Sequence, residues 1–246
     1  RPCRPIGSSR SKSSPAHKQM PAPLSIVIPA LNAANDLGLC LGSLMPGLEA
    51  GLIREVVLVD GGSTDRTCAM ADASGALVLN HTPGRAAQMI AGAAHARGDW
   101  LRFLHADTAL SRDWAERVAA TIASNADRAA AFSLAFRSDA PQAKWLAARA
   151  NWRARRLGLP YGDQGLLIDR AHYDQIGGFD DVPLMEDVRI VRAIGKDRLT
   201  ILSAEARTSA AKYERDGWRR RAYRNAWLAA RYFLGASPEK LARAYK

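Results

Sequence analysis

The sequence predicts an α/β fold with a mostly parallel central sheet flanked by helices. Three observations support this class. Short apolar runs alternate with helical stretches from Leu24 onward. The short runs are apolar on both faces, as strands covered by helices must be. Polar, turn-forming residues follow three of the predicted strands, and ligands collect at the carboxyl ends of strands in such sheets.

The predicted elements follow one another in a regular order. In the first half the expected strands are Leu24–Ile28 (ended by Pro29), Glu55–Val59, Ala76–Leu79 and Trp100–Leu104. The expected helices there are Asn35–Met45, Thr64–Ala73, Ala86–Arg97 and Asp113–Ser124. In the second half we expect strands Ala129–Phe136, Gly165–Ile168 and Leu199–Leu202, and helices Gln142–Leu157, Glu186–Ile194 and Trp218–Leu234.

The positive charge of the chain is concentrated at its two ends. Of the net charge of +11, residues 1–19 carry +5 and residues 207–246 carry +8, which leaves −2 for residues 20–206. This distribution argues against nucleic acid as a partner and favours an anionic ligand or surface near the C-terminus. We expect residues 1–19 to be a disordered leader or sequence added upstream, 20–206 to be the main domain, and 207–246 to be a basic, aromatic helical segment packed on it.

Two classes of protein are disfavoured by composition. No apolar run reaches the ~18–20 residues of a membrane span. The three cysteines, Cys3, Cys40 and Cys68, fit neither a disulfide framework nor a zinc site, so a reducing, cytoplasmic location is expected. Cys40 and Cys68 fall in helical apolar patterns and are expected in the core.

Polar residues after three strands are candidates for one shared site. They are Asn32 after the first strand, Asp60 with Gly61 and Gly62 after the second, and His105 with Asp107 after the fourth. Asp107 directly follows an apolar strand, where a carboxylate needs a partner or a cation. A hard cation such as Mg²⁺ or Mn²⁺ needs one or two protein carboxylates plus phosphate oxygens. His105 is either a further ligand, which would favour Mn²⁺, or a structural residue.

Other acids and bases are candidates with structural alternatives. Arg85 lies at the start of a predicted helix, and its side chain is expected either to contact a phosphate or to be exposed to solvent. Glu186 and Asp187 open a helix, where the helix dipole alone would favour acids. Asp163 and Gln164 follow a Pro-Tyr-Gly turn and line an acceptor pocket or simply a loop.

Four motifs follow one another along the chain: SIVIPALN at Ser25–Asn32, VVLVDGGSTDRT at Val56–Thr67, FLHADT at Phe103–Thr108 and IGGFDDVPLMED at Ile176–Asp187. In this order and spacing they resemble glycosyltransferase family 2. The VDGGSTD and HADT variants look most like the bacterial radical-SAM/selenodomain-associated transferase 2 subgroup.

The resemblance implies a GT-A fold for residues 20–206, a nucleoside-diphosphate sugar donor and inversion at the anomeric carbon. Pro29, Leu31 and Asp60 match the nucleoside-binding segments. Asp107 matches the last acid of the metal-binding DxD motif, and Asp187 matches the catalytic base. The predicted partners are therefore the nucleotide sugar and a lipid or small-molecule acceptor, with Asp163, Gln164 and Glu186 on the acceptor side.

Several positions depart from the family pattern. Gly61 replaces the second acid of the usual Asp-Asp-Gly-Ser, and His105 replaces the first acid of DxD. Ile90 stands where the family usually has Asn. The motif of processive synthases is missing, which favours transfer of one sugar over polymerisation.

The basic C-terminal segment has more than one interpretation. Arg207, Lys212 and Arg215 are predicted to form a loop over the diphosphate, with Arg215 in the donor site. The following helix interleaves aromatic and arginine residues. Such a helix suits core packing, contact with an anionic membrane on its inner face, or single-stranded nucleic acid, which nothing else supports.

Two alternatives to a glycosyltransferase remain at this stage. A nucleotidyltransferase would usually carry a glycine-rich, basic loop, whereas residues 29–35 have no glycine. A non-catalytic protein that binds a nucleotide sugar or a membrane surface is compatible with Gly61 and His105, and measured turnover would exclude it.

Overall fold

The structure, a computed structural model, describes residues 22–124 and 129–245. The predicted leader and Cys3 lie outside the described residues. The strands are β1 Leu24–Ala30, β2 Ile53–Asp60, β3 Leu77–Asn80, β4 Trp100–Phe103, β5 Thr108–Leu110, β6 Ala129–Phe136, β7 Leu166–Asp169 and β8 Leu199–Thr208. The helices are α1 Ala34–Gly42, α2 Met45–Glu49, α3 Thr67–Ala73, α4 Arg85–His95, α5 Trp114–Ser124, α6 Pro141–Leu157, α7 Arg170–Gln175, α8 Glu186–Ile194, α9 Ala211–Asp216, α10 Trp218–Phe233 and α11 Pro238–Tyr245.

All eight strands belong to one mixed sheet in the order β3-β2-β1-β4-β7-β6-β8-β5. The first four strands of this order are parallel, and β6 and β8 are parallel to each other. Strands β7 and β5 run against their neighbours. The α/β class with flanking helices is therefore confirmed, and the sheet contains more antiparallel pairing than the sequence indicates.

Pro29 does not end the first strand. It lies inside β1, opposite Val59 of β2. The β4 ladder stops where Val27 pairs with Phe103, so no β4 residue faces Pro29. Because proline lacks an N–H group, it is tolerated in a strand where no ladder hydrogen bond is required. The prediction that Pro29 is a strand stop was wrong for this reason.

The sheet is buried on both faces. On β1, Ile26 and Ile28 pack into one hydrophobic cluster and Val27 into the other. Helix α4 lies very close to the second face, since a Cβ atom at Gly92 would fall 2.3 Å from Val27 Cγ1. This close approach places the first turn of α4, with Arg85 and Gln88, at the carboxyl edge of the sheet.

The largest difference from the sequence prediction is at the C-terminal end of β8. The strand continues six residues beyond Leu202, through Thr208, and pairs with β5, which the sequence did not predict. The predicted domain division at residue 206 thus falls within a strand. Among the residues that the structure describes, no helix is both long enough and apolar enough to cross a membrane.

Candidate active site

The loop after β2 is built around the buried carboxylate of Asp60. Its Oδ2 atom accepts hydrogen bonds from the backbone N–H groups of Gly62 (2.9 Å) and Ser63 (2.8 Å), and Oδ1 accepts one from the Ser63 hydroxyl. Burial raises the pKa of Asp60, but the hydrogen bonds from Ser63 and Gly62 outweigh burial and hold the pKa below its usual value. Asp60 therefore shapes this loop as an ionised carboxylate.

Asn32 ties the β1 loop to the β2 loop. Its side-chain oxygen accepts from Thr64 N (2.9 Å), while its own N–H donates to the Ser63 hydroxyl (2.8 Å). Asn32 has a φ of 49°, in the left-handed region that asparagine tolerates better than most residues. The two loops thus form one hydrogen-bonded unit beside the cleft.

Gln88 explains the glycine at position 61. Its buried amide donates to Ala30 O (2.9 Å) and Val59 O (2.7 Å), which links the ends of β1 and β2. A Cβ atom at Gly61 would lie 3.1 Å from Gln88 Nε2. A side chain at position 61 would therefore crowd the Gln88 amide. The sequence analysis did not identify this role of Gln88.

Asp107 lies in the loop between β4 and β5, directly before β5 and next to the end of β8. Its Oδ1 atom accepts long hydrogen bonds from the hydroxyls of Thr108 (3.3 Å) and Thr208 (3.4 Å), and its backbone oxygen accepts from Ser209 N (3.0 Å). The Lys212 ammonium lies 3.7 Å from Oδ2. The carboxylate is oriented by these weak contacts and remains accessible from the cleft.

Three charged residues lie around Asp107, and the sequence analysis assigned only one of them, Lys212. Arg137 donates to the Asp107 carbonyl (3.2 Å) and forms an ion pair with Asp36, while Lys212 approaches the carboxylate. Lys212 was predicted near the diphosphate on charge alone. Arg137 and Asp36 were missed because they are about 100 residues apart in the chain and only the fold brings them together.

His105 is held neutral by its surroundings. Burial, followed by the nearby Arg85, lowers its pKa to about 4, although Asp107 and Asp187 act in the opposite direction. Its backbone oxygen lies 3.6 Å from the Sγ atom of buried Cys40. A neutral imidazole is the form that a metal ligand requires.

Helix α8 presents its first two acids in different directions. Glu186 is buried and forms an ion pair with Arg85. Burial raises the pKa of Glu186 despite this arginine. Asp187 Oδ2 accepts from Gly162 N (2.8 Å), and its Oδ1 accepts from Val188 N (2.8 Å). Two backbone N–H groups therefore fix the Asp187 carboxylate at the cleft.

The residue before these acids has a strained backbone. Met185 adopts a φ of 69°, one of two non-glycine residues in the described part of the chain with positive φ. Such conformations cost about 1–3 kcal/mol and concentrate at functional sites. The turn is what aims the first residues of α8 toward the cleft.

A short 3-10 turn at Gly162–Gln164 lies against α8. A Cβ atom at Gly162 would be 2.9 Å from His105 Nε2 and 3.4 Å from Asp187 Oδ2, so this glycine separates two predicted site residues. Burial raises the pKa of Asp163 to about 6, although Arg153 lowers it. The Asp163 Oδ1 atom is buried, and no hydrogen-bond donor among the described residues reaches it.

Two adjoining cavities share His105. The first is a cleft of about 400 Å³. Its lining residues include Pro29, Leu31, Asn32, Asp36, Arg85, His105, Asp107 and Lys212. The second is small, about 20 Å³. Its lining residues include Phe103, His105, Tyr161, Gly162, Glu186 and Asp187. Most of the predicted site residues are therefore brought together around His105.

Four predicted site residues line neither cavity: Asp60, Asp163, Gln164 and Arg215. Arg215 is 73% exposed, pairs with Asp216 and lines a separate cleft. Gln164 is fully buried, and its amide donates to Phe132 O (2.9 Å), so its side chain supports the turn and lines neither cavity. Arg207 pairs with Glu205 on the surface. Of the three basic residues predicted over the diphosphate, only Lys212 lines the cleft.

Comparison with known proteins places this site in a defined class. Residues 25–179 match the family described as Glycosyl transferase family 2, which is more than half of the chain. The chain therefore belongs to glycosyltransferase family 2. This assignment confirms the enzyme class and the GT-A-type fold that the sequence motifs predict.

Curated relatives match over parts of their length. A glucosyl-3-phosphoglycerate synthase of Mycolicibacterium paratuberculosis is 33% identical over 93 residues, 34% of this chain and 28% of the relative. A PGL/p-HBAD biosynthesis glycosyltransferase of Mycobacterium tuberculosis is 41% identical over 112 residues, 42% of this chain and 43% of the relative. The chain thus spans less than half the length of either relative.

Solved structures show the same fold at low identity. S. aureus TarS 1-349 is similar with a TM-score of 0.59 and 19% identity, covering 75% of this chain and 60% of that one. Glucosyl-3-phosphoglycerate synthase from Mycobacterium tuberculosis, in complex with Mn²⁺, uridine diphosphate and glucosyl-3-phosphoglycerate, has a TM-score of 0.56 and 20% identity. The match covers 82% of this chain and 78% of that one.

Proposed function

We propose that this chain transfers one sugar, with inversion, from a nucleoside-diphosphate sugar to an acceptor hydroxyl. One observation carries the proposal: the two cavities meet at His105, and Asp107 lines one of them while Asp187 lines the other. Inversion by direct displacement needs the leaving diphosphate and the base on opposite sides of the anomeric carbon. The presence of Asp107 and Asp187 in two separate cavities supports this arrangement.

The larger cleft is the proposed donor site. Its volume of about 400 Å³ lies within the usual range for small-molecule sites. Leu31 is half exposed beside it and offers an apolar contact for a base. Lys212 and Arg85 supply positive charge for a diphosphate. Uridine diphosphate in the structure of the mycobacterial synthase supports a uridine nucleotide as the first donor to test.

The proposed cofactor is Mn²⁺ or Mg²⁺, held by Asp107 and His105. Among the described residues there is no cluster of three or more His, Cys, Asp or Glu side chains suited to a metal ion. One carboxylate and one neutral imidazole still fit a cation whose other ligands are phosphate oxygens and water. The imidazole favours Mn²⁺, which is also present in the mycobacterial synthase complex. When bound, the cation would offset the charge that develops on the leaving diphosphate.

Asp187 is the proposed general base. Its carboxylate is fixed by Gly162 N and Val188 N, which leaves lone pairs for an acceptor hydroxyl. The base would take the hydroxyl proton as the acceptor oxygen attacks the anomeric carbon. Glu186 is unsuited to this role because it is buried against Arg85. Asp163, Gln164 and Glu186 are kept as proposed acceptor-side residues, with Gln164 acting through the turn that it supports.

The test is Asp187→Asn, which preserves shape and removes the negative charge. Binding of UDP-sugar should persist, while sugar transfer should fall by ~10²–10⁴-fold, the usual range for acid–base catalysis. Asp181→Asn is the matched control, since Asp181 is an exposed acid on the same segment. Near-normal transfer by Asp187→Asn would exclude the role, and donor binding by the wild type without any turnover would favour a non-catalytic binding protein.

The finer features of the proposal come from the sequence. The VDGGSTD and HADT variants support membership of the radical-SAM/selenodomain-associated subgroup. A cytoplasmic location and a small-molecule or lipid acceptor belong to the same proposal. Tyr223 and Trp227 are exposed on α10, which supports a candidate contact with the inner membrane surface.

We further propose that the C-terminal segment 207–246 completes the 20–206 domain and does not form a unit of its own. Thr208 and Ser209 both contact Asp107, and Lys212 lines the donor cleft. Helix α10 also packs against α6 of the main domain. Removal of the segment should therefore abolish donor binding together with activity.

A further inference from the structure

An arginine-rich cleft lies next to the donor site, at the junction of α9 and α10. Its volume is about 250 Å³. Its lining residues are Arg215, Asp216, Arg220, Arg221 and Arg224. We refer to it as the arginine cleft. Among the lining residues, four guanidinium groups and one carboxylate give this concave surface a net charge of +3.

The single acid in this cleft is already committed to two of the arginines. Asp216 accepts from Arg215 Nε (2.8 Å) and from Arg221 Nη1 (2.7 Å). The hydrogen bond from Arg215, aided by that from Arg221, lowers the pKa of Asp216 to about 2. The carboxylate positions these two side chains and neutralises only one of the four positive charges.

Three arginines of α10 lie on one side of the helix, facing the cleft. On α10, Arg224 is four residues from Arg220 and three from Arg221, so the three side chains share one helix face. Like charges at this spacing destabilise a helix in the absence of an anion. Arg221 is buried, whereas Arg220 is exposed at the rim. The planar fork of arginine matches the oxygen spacing of a phosphate group.

Helix α9 connects the arginine cleft to the donor cleft. Lys212 lines the donor cleft, and Arg215, three residues later, lines the arginine cleft. Three residues of helix correspond to about 5 Å along the axis. A molecule whose anionic group is bound in the arginine cleft could therefore also reach the donor cleft.

We propose that the arginine cleft binds a phosphate group carried by the sugar acceptor. Calling the ligand an acceptor rests on the proposed function, whereas the phosphate chemistry rests on the cleft itself. The phosphate belongs either to a soluble phosphorylated metabolite or to a lipid headgroup, since both present the same oxygens to the guanidinium groups. The cleft thereby gives the acceptor an anchor that is separate from the donor diphosphate.

The experiment measures binding of inorganic phosphate to the full chain by calorimetry. UDP and Mg²⁺ are present in excess, so that the donor cleft is filled. Arg220→Gln is the test variant, because Arg220 is exposed and its loss leaves the buried Arg221–Asp216 pair intact. Arg219→Gln is the matched control: it is the adjacent exposed arginine of α10, with the same charge change, and it does not line the cleft.

We expect Arg220→Gln to weaken phosphate binding about tenfold, as loss of a charged hydrogen bond would, and Arg219→Gln to leave it unchanged. No phosphate binding by the wild type, or equal weakening by both variants, would overturn the inference. Phosphate binding without UDP binding would count against the proposed function alone, and UDP binding without phosphate binding would overturn this inference alone.

Competition then separates the two sources of phosphate. Displacement of inorganic phosphate by 3-phosphoglycerate supports a soluble phosphorylated acceptor. Displacement only by vesicles containing phosphatidylglycerol, and not by phosphatidylcholine vesicles, supports a lipid headgroup. Failure of both competitors to displace phosphate would overturn the assignment to an acceptor.

Discussion

The two halves of the candidate site differ in how their polar groups are satisfied. In the loops after β1 and β2, the carboxylates of Asp60 and Asp65 and the amide of Asn32 accept hydrogen bonds from the loops themselves. In the segment around residues 160–187, Asp163 has a buried oxygen that no described donor reaches, and Glu186 is a buried acid with a raised pKa. In the first region the polar groups are already hydrogen-bonded, whereas in the second region burial destabilises the ionised form of the carboxyl groups.

This contrast distinguishes two environments for the carboxyl groups around the site. Carboxylates that are fully hydrogen-bonded favour the ionised form and stabilise the fold. Burial raises the pKa values of Asp163 and Glu186, and perturbed pKa values are common among functional groups. We therefore expect substitutions in the first region to reduce stability and those in the second to change chemistry or pH dependence.

The largest effect is expected at Asp107, which borders both regions. If it holds the cation, Asp107→Ala should weaken Mn²⁺-dependent donor binding at least ~100-fold, since even outer ligands of metal sites contribute ~10–100-fold. At a donor concentration 100 times Kd, stabilisation by the donor would fall from about 2.7 to about 0.4 kcal/mol. Thermal unfolding with and without UDP-sugar and Mn²⁺ measures this, and unchanged stabilisation would contradict the assignment.

Asp163→Asn tests the energetic cost in the second region. A carboxyl whose pKa is raised to about 6 in the folded chain keeps its proton longer there than in the unfolded chain. The wild type should therefore lose stability on the order of 2 kcal/mol from this group between pH 4 and pH 7. The asparagine variant should lack this loss. Urea unfolding at both pH values measures it, with Asp181→Asn as the control, and parallel pH profiles would refute the prediction.

Asp60→Asn tests the first region, the loops after β1 and β2. It removes the charge and at least one accepted hydrogen bond, so the free energy of unfolding should fall by about 1–3 kcal/mol. Because the folded pKa of Asp60 is lowered, its contribution is present above the unfolded pKa and is lost as pH falls through the folded pKa. The difference between wild type and variant should shrink in acid. If the variant kept wild-type stability and lost only donor affinity, the expected difference between the two regions would be contradicted.

The smallest effect is expected for Lys212→Gln. The Lys212 ammonium lies 3.7 Å from the Asp107 carboxylate and is largely exposed, so the pair contributes no more than about 1 kcal/mol. Removing it should tighten binding of Mn²⁺ alone up to about fivefold, because a competing cation is lost, while UDP binding weakens. Lys240→Gln, on exposed helix α11, is the control. Weaker Mn²⁺ binding by Lys212→Gln would show that the lysine does not compete with the metal.

Local sequence predicted the first half of the molecule well. The end of β2 at Asp60, the loop after β4 that carries Asp107, and the start of α8 at Glu186 have their signals in neighbouring residues. Pro29 was misinterpreted because its effect depends on where the neighbouring strand stops, which local sequence does not show. Strand β5 has only three residues, and its pairing with β8 joins positions about 100 residues apart.

The same limit applies to the site. The chain signals Asp107, Asp187 and His105 through motifs, and the structure brings them together as expected. The ion pair between Arg85 and Glu186 joins residues assigned to opposite sides of the site, 101 residues apart. Arg215 was placed over the donor from charge alone. Charge counts identify an excess, but they do not determine which helix face carries it.

The pairing of β5 with the end of β8 affects the order in which the site can form during synthesis. The donor loops belong to the first half of the chain and leave the ribosome early. Thr208 and Ser209, which contact Asp107, emerge about 100 residues after Asp107. Contacts of such long range form late in folding, because closing a long loop costs entropy first. A nascent chain can therefore assemble its nucleotide loops while Asp107 still lacks its supports, so that binding of the sugar donor awaits completion of β8.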